Sequence, residues 1–156
     1  LYLIKPADKI TGNGIAIVVS EILKKLDGNN VLGTLILEST DKTPKINFDS
    51  SCNILQISGV SIPEDALSFY KPLLHWLQQF QASKPPTAEL VFHLEFFNTV
   101  SSRLFLEIMK IMQRLKDGGS QVKIRWIYED GDEDIQEAGE NYSEMVEVDF
   151  VIEAGK

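Results

Sequence analysis

The spacing of apolar residues changes period several times along the chain, and each change marks an element. Ile46 and Phe48 alternate with polar neighbours, as do Leu55 and Ile57, with Asp49 to Asn53 as turn material between them. A period of two on both sides of a polar turn predicts a β-hairpin. After Gly59, Ala66, Phe69, Tyr70, Leu73, Leu74, Leu77 and Phe80 recur at helical spacing, the pattern of an amphipathic helix with one broad apolar stripe. Ser61 and Glu64 stand at capping-box spacing before it, so they are expected to open that helix. Pro72 removes an amide donor inside the stripe, which predicts a kink or two short helices in sequence.

Lys84-Pro85-Pro86 ends this region, and Leu90 to Phe97 follows as a short run of mostly apolar and aromatic residues. Apolar character on both faces predicts a central strand. Leu104, Phe105, Ile108, Ile111, Met112 and Leu115 then mark a second helix, closed by Asp117-Gly118-Gly119. Val122, Ile124, Trp126 and Tyr128 alternate in a further strand. An acidic helix from about Glu133 to Ser143 and a strand from Val146 to Ile152 complete the chain. The order from about residue 45 is therefore β-β-α-β-α-β-α-β, an α/β fold with a mixed or largely parallel sheet and helices packed on it. Residues 1–34 are a separate N-terminal segment of unassigned role, with a turn at Thr11-Gly12-Asn13-Gly14 and a short helix expected over Ile15 to Leu26. Residues 35–156 form the domain.

Composition narrows the function classes. A chain of 156 residues with 44% hydrophobic residues can bury a core without staples. Cys52 is the only cysteine, which excludes an internal disulfide and fits a reducing, cytoplasmic setting. With 15 basic against 23 acidic side chains the formal charge is -8. Such a surface repels nucleic acid and anionic membranes and favours basic protein partners. No apolar run is long enough to span a bilayer, and no signal peptide is recognisable. The chain begins with Leu1, as expected of a processed chain, a piece of a longer one, or a start introduced at expression.

The residues that could carry enzymatic chemistry are few. His75 and His93 have no Cys or His at metal-ligand spacing, and no serine stands in a nucleophile-elbow pattern. Cys52 has no adjacent basic residue to activate it. The run Glu129-Asp130-Gly131-Asp132-Glu133-Asp134 begins like a calcium loop, but Ile135 stands where the loop needs glycine and Asn141 where it needs glutamate. These carboxylates instead suit the positive end of a helix dipole. No cofactor or metal is expected. What remains is Asn98-Thr99-Val100-Ser101-Ser102-Arg103, where an apolar strand meets an amphipathic helix. Asn98 or Thr99 suits the N-cap, and a hydroxyl beside a helix N-terminus is a place where a phosphate would meet unpaired amides.

Several blocks in one order now carry a resemblance. They are Asp41-Lys42-Thr43-Pro44-Lys45-Ile46-Asn47-Phe48-Asp49, Gly59 with Ser61-Ile62-Pro63-Glu64-Asp65, and Phe69-Tyr70-Lys71-Pro72-Leu73-Leu74-His75-Trp76-Leu77. Phe96-Phe97-Asn98-Thr99 and Trp126-Ile127-Tyr128-Glu129-Asp130-Gly131-Asp132-Glu133-Asp134 continue the series. From about Leu35 to Ile152 the chain resembles the SiaC family of bacterial regulatory phosphoproteins. The resemblance implies a STAS-like fold, similar to the anti-sigma-factor antagonist SpoIIAA, and a phosphoacceptor at Thr99. It further implies a Ser/Thr kinase of the histidine-kinase-like ATPase fold (SiaB-like) and a PPM-type phosphatase (SiaA-like). The output it implies is a diguanylate cyclase (SiaD-like), linking the switch to cyclic-di-GMP and biofilm formation. The family usually has serine after the threonine, where this chain has Val100, so Ser101 and Ser102 stand as alternative acceptors. Asn98, Val100, Ser101, Ser102 and Arg103 are the residues expected to shape the turn and meet a partner. Two other readings stay open: a constitutive acidic binding module, and a small metal-dependent hydrolase.

Overall fold

The computed structural model describes residues 2–4 and 32–155. Its strands are β1 (Tyr2–Ile4), β2 (Leu35–Leu37), β3 (Lys45–Asp49), β4 (Ile54–Ser61), β5 (Thr87–Phe97), β6 (Gln121–Glu129) and β7 (Asp149–Gly155). The helices among the described residues are α1 (Ala66–Ala82), α2 (Thr99–Asp117) and α3 (Glu133–Met145). The seven strands form one sheet in sequential order. The β2–β3 and β3–β4 pairs are antiparallel, and β1–β2 and the pairs from β4 to β7 are parallel. The turn and helix expected near Thr11 to Leu26 lie outside the described residues.

Strand parity decides which face is covered. Phe48 faces Leu55, Leu55 faces Leu90, and Phe92 faces Trp126 across the ladders, so all of these side chains share one face. Each helix packs there. Trp76 of α1 meets Phe48, Phe105 of α2 meets Phe92, and Tyr142 of α3 meets Trp126, with ring centroids 5.2–5.3 Å apart. The core therefore lies between one sheet face and three helices. Burial of these rings strengthens it, since each aromatic side chain withdraws a large apolar area from water.

The other face is open, which corrects the expectation that β5 is apolar on both sides. β5 is central, paired with β4 and β6, but its odd positions carry Glu89, Val91 and His93, and only Val91 of these is buried. Arg125 lies between Glu153, to which it donates hydrogen bonds, and Glu89, 3.8 Å away. His93 Nε2 lies 3.0 Å from Glu129 Oε1.

Three boundary expectations also change. The cap of α1 is Asp65, whose carboxylate accepts from Ser68 N at 3.1 Å, not a Ser61–Glu64 box. Ser61 ends β4 and points into the core instead. Pro72 lies inside one continuous helix and does not divide it. It is the seventh helical residue and is buried with the stripe, so only one amide bond near the helix start is forgone. The last strand begins at Asp149, because Val146 is the C-cap of α3 and Val146 to Val148 return the chain to the sheet. Asp132 caps α3 by accepting from Ile135 N, with Glu133 and Asp134 in the first turn, as the dipole reading of the acidic run requires.

Candidate functional site

The turn after β5 is built from both sides. Asn98 has extended backbone angles (φ -88°, ψ 174°) and its Oδ1 accepts from Ser101 N at 2.9 Å, so Asn98 is the N-cap of α2. Its own amide donates to Ser61 O at 3.1 Å, tying the turn to the end of β4. Before it, Phe97 lies edge-on to Phe105 and Trp126 on the core face. A register shift between Gly59 and Val60 aligns Val60 with Phe96 and Ser61 with Phe97. The shift turns Phe96 outward, where it is 58% exposed.

Behind the turn lies a chain of buried hydroxyls. Ser101 Oγ donates to Ser61 O at 3.0 Å, and Ser61 Oγ donates to Ser101 Oγ at 2.8 Å. Each hydroxyl has one proton, so the remaining contact, Tyr70 OH to Ser61 Oγ at 2.7 Å, has Tyr70 as donor. Burial pushes the Tyr70 phenol far above its ordinary value, which keeps the donated proton in place. From the other side Tyr142 OH donates to Ser102 O at 2.7 Å, and burial raises its pKa to about 12. Three elements, β4, α1 and α3, thus grip the first turn of α2.

The segment's hydroxyls have different fates. Ser101 is fully buried and its oxygen is engaged twice. Ser102 Oγ donates to Thr99 O at 2.6 Å. Thr99 is exposed, and its hydroxyl has no hydrogen-bond partner among the described residues. Val100 is 46% exposed and Arg103 is exposed beyond it. Asn98, Thr99, Val100, Ser102 and Arg103 therefore form one accessible turn, while Ser101 belongs to its support. Ser61, Tyr70 and Tyr142 were not among the expected site residues. A signal existed for Ser61: it shares strand parity with Leu55 and Ile57, so a polar residue was due in the core.

The other candidates stand apart from the turn. His75 is exposed on α1, Cys52 is exposed in the β3–β4 turn, and no group of three potential metal ligands occurs among the described residues. No helix among them is long and apolar enough to cross a membrane.

An open-faced sheet with helices on one side and a hydroxyl-bearing turn between central strand and helix is a STAS-like α/β architecture. The model of the SiaC family of regulatory phosphoproteins matches residues 37–154, and the chain belongs to that family. An uncharacterized protein of Pseudomonas aeruginosa strain UCBPP-PA14 is 28% identical over 123 residues, covering 79% of this chain and 98% of its own. Among solved structures, apo-SiaC of P. aeruginosa is 27% identical with a TM-score of 0.73, over 78% of this chain and 99% of that one. SiaC in the complex of the diguanylate cyclase SiaD with its activator is 28% identical with a TM-score of 0.74, again over 78% and 99%.

Proposed function

We propose that this chain is a non-enzymatic regulator switched by phosphorylation of Thr99, and that its unphosphorylated form binds and activates a diguanylate cyclase. The observation that carries the reading is the division of labour among the hydroxyls. Ser101 is buried support, Ser102 is tied to the turn backbone, and Thr99 alone is both exposed and unneeded by the fold. Phosphate there would add about -1.5 to -2 charges beside Val100 and Phe96. As the first residue of α2, Thr99 places that phosphate by amides that have no intrahelical acceptor, where the helix dipole favours it. The charge would replace an apolar rim with a strongly hydrated one, so a partner docked on Val100 and Phe96 would be released. The partner class is inferred from the SiaD–SiaC complex, and a kinase of the histidine-kinase-like ATPase fold and a PPM-type phosphatase would write and erase the mark.

The test is incubation with that kinase and ATP, followed by intact mass and phosphosite mapping, and then cyclase activation. One phosphate is expected on the native chain and none on Thr99→Ala. Thr99→Ala should activate the cyclase and Thr99→Glu should not. Incorporation unchanged in Thr99→Ala would exclude Thr99 as acceptor. Equal activation by both variants would instead favour a constitutive acidic binding module.

A further inference from the structure

On the side of the helices away from the sheet, α1 and α2 leave an open groove of about 560 Å³. Its apolar lining comes from Leu74, Leu106 and Ile111, and its cations from Arg103, Lys110 and Arg114. Arg103, Leu106, Lys110 and Arg114 fall at i, i+3, i+7 and i+11, one continuous stripe of α2. On α1 the matching stripe runs through Leu67, Leu74 and Gln78. Both helices connect parallel strands of the same sheet and so run in the same direction. Their first turns, with Leu67 at 67% and Val100 at 46% exposure, therefore lie at the same end as Thr99.

Charge selects the occupant. The chain has a formal charge of -8 and only three arginines, and two of them line this groove. Among the described residues neither Arg103 nor Arg114 has a carboxylate within ion-pair distance, whereas Arg125 is paired on the open sheet face. Lys110 uses one of its three donors on Met145 O, and Glu107 is the single carboxylate of the lining. An apolar floor between two parallel helices with unpaired guanidinium groups on its rim fits an amphipathic helix bearing carboxylates.

We infer that the α1–α2 groove docks an acidic amphipathic helix of the partner protein, and that Arg103 couples this groove to Thr99. The coupling rests on the switch reading above. Thr99 and Arg103 are an i, i+4 pair on α2, so a phosphate on Thr99 lies within reach of the Arg103 guanidinium. Once claimed by phosphate, Arg103 is withdrawn from the partner's carboxylate, and binding weakens without any change of fold.

The test titrates the isotope-labelled full chain with a synthetic helical peptide of about 20 residues. Leucines form its apolar stripe and glutamates flank it, and its lysine-for-glutamate counterpart is the second probe. The acidic peptide should shift amides of Leu74, Leu106 and Ile111, lose about tenfold in affinity between about 50 and 500 mM salt, and lose at least tenfold in Arg103→Gln/Arg114→Gln. Those two side chains are exposed, so the melting temperature of the double variant should stay native. Leu74→Glu should abolish binding through the floor. Equal binding of both peptides, shifts confined to the open sheet face, or a dimer that dissociates in Arg114→Gln would overturn the groove assignment. Phosphorylation of Thr99 should weaken the acidic peptide, and an unchanged affinity would overturn the coupling through Arg103. If Thr99 accepts no phosphate, the switch fails but the peptide discrimination stands. If the discrimination fails, the groove is refuted whatever Thr99 does.

Discussion

Gly139 of α3 sets two opposing effects against each other, and their sizes decide the outcome. In an exposed helix Gly→Ala stabilises by about 0.8–1 kcal/mol, because glycine surrenders more backbone freedom on folding. Here a Cβ would lie 2.8 Å from both Cγ and Nε1 of Trp126, and closer still to Cδ1. Carbon atoms settle at about 3.5–4.0 Å, so the indole or the helix must move by roughly 1 Å. The indole has nowhere to go. Its Nε1 donates to Ile135 O at 2.8 Å, and its ring is held by Phe92, Phe97 and Tyr142 at 5.3, 6.0 and 5.3 Å. Overpacking of this kind costs about 1–3 kcal/mol and occasionally more, and a fully enclosed ring belongs at or above the upper end of that range. Gly139→Ala is therefore expected to destabilise by about 2 kcal/mol net. The melting temperature should fall by about 4–8 °C for a domain of this size. Urea unfolding followed by tryptophan fluorescence and by far-ultraviolet circular dichroism gives the value, with the exposed neighbour Glu140→Ala as reference. The strain also reaches the turn at the start of α2, since moving α3 loosens Tyr142 from Ser102 O and moving Trp126 disturbs Phe97. A Gly139→Ala protein as stable as the native chain would refute the reasoning, because helix propensity would then outweigh the clash with an enclosed indole.

Two further outcomes follow from the hydrogen bonds. Tyr70→Phe deletes the terminal donor of the buried hydroxyl chain and should cost about 1–2 kcal/mol, with Ser101→Ala costing a similar amount. The double variant should fall short of the sum by at least about 0.5 kcal/mol, and strictly additive melting data would deny that the three hydroxyls act as one unit. Hydrogen bonds from Ser51 lower the pKa of Asp49, and hydrogen bonds from Ser68 lower that of Asp65. A carboxylate with a depressed folded-state pKa contributes stability above its unfolded value of about 3.8 that is lost as pH falls through the folded value. Asp49→Asn and Asp65→Asn should flatten the decline of stability below about pH 4 relative to the native chain, and identical slopes in acid denaturation would contradict this.

Much of the fold was legible because burial on a single face imposes clear periods. Ile46, Phe48, Leu55, Ile57, Val122, Ile124 and Trp126 alternate in the sequence and all are buried, and the expected hairpin pairs Ile46 with Ile57 and Phe48 with Leu55. The stripe from Leu104 to Leu115 is likewise buried throughout. Asp65 was harder to identify as a cap, because Ser61 and Glu64 also had the right spacing and only the strand register shows that Ser61 is still in β4. The far face of β5 was misjudged for a related reason: Val91 and the aromatics suggested two apolar faces, whereas Glu89 and His93 lie beside the ion pairs of an open surface.

What the amino-acid sequence by itself determined was the alternation of strands and helices and a polar helix cap at Asn98 or Thr99 after the central strand. These depend on neighbours within a few residues, through side-chain period and the hydrogen-bonding needs of a helix start. The tertiary structure alone decided which hydroxyl is available. Ser101 and Thr99 are two residues apart and alike in chemistry, yet one is sealed by Ser61 and Tyr70 and the other faces solvent. Ser61 lies 40 residues before Ser101. Only the parallel pairing of β4 with β5 brings its hydroxyl to the turn, and no local pattern encodes a contact closed across the sheet.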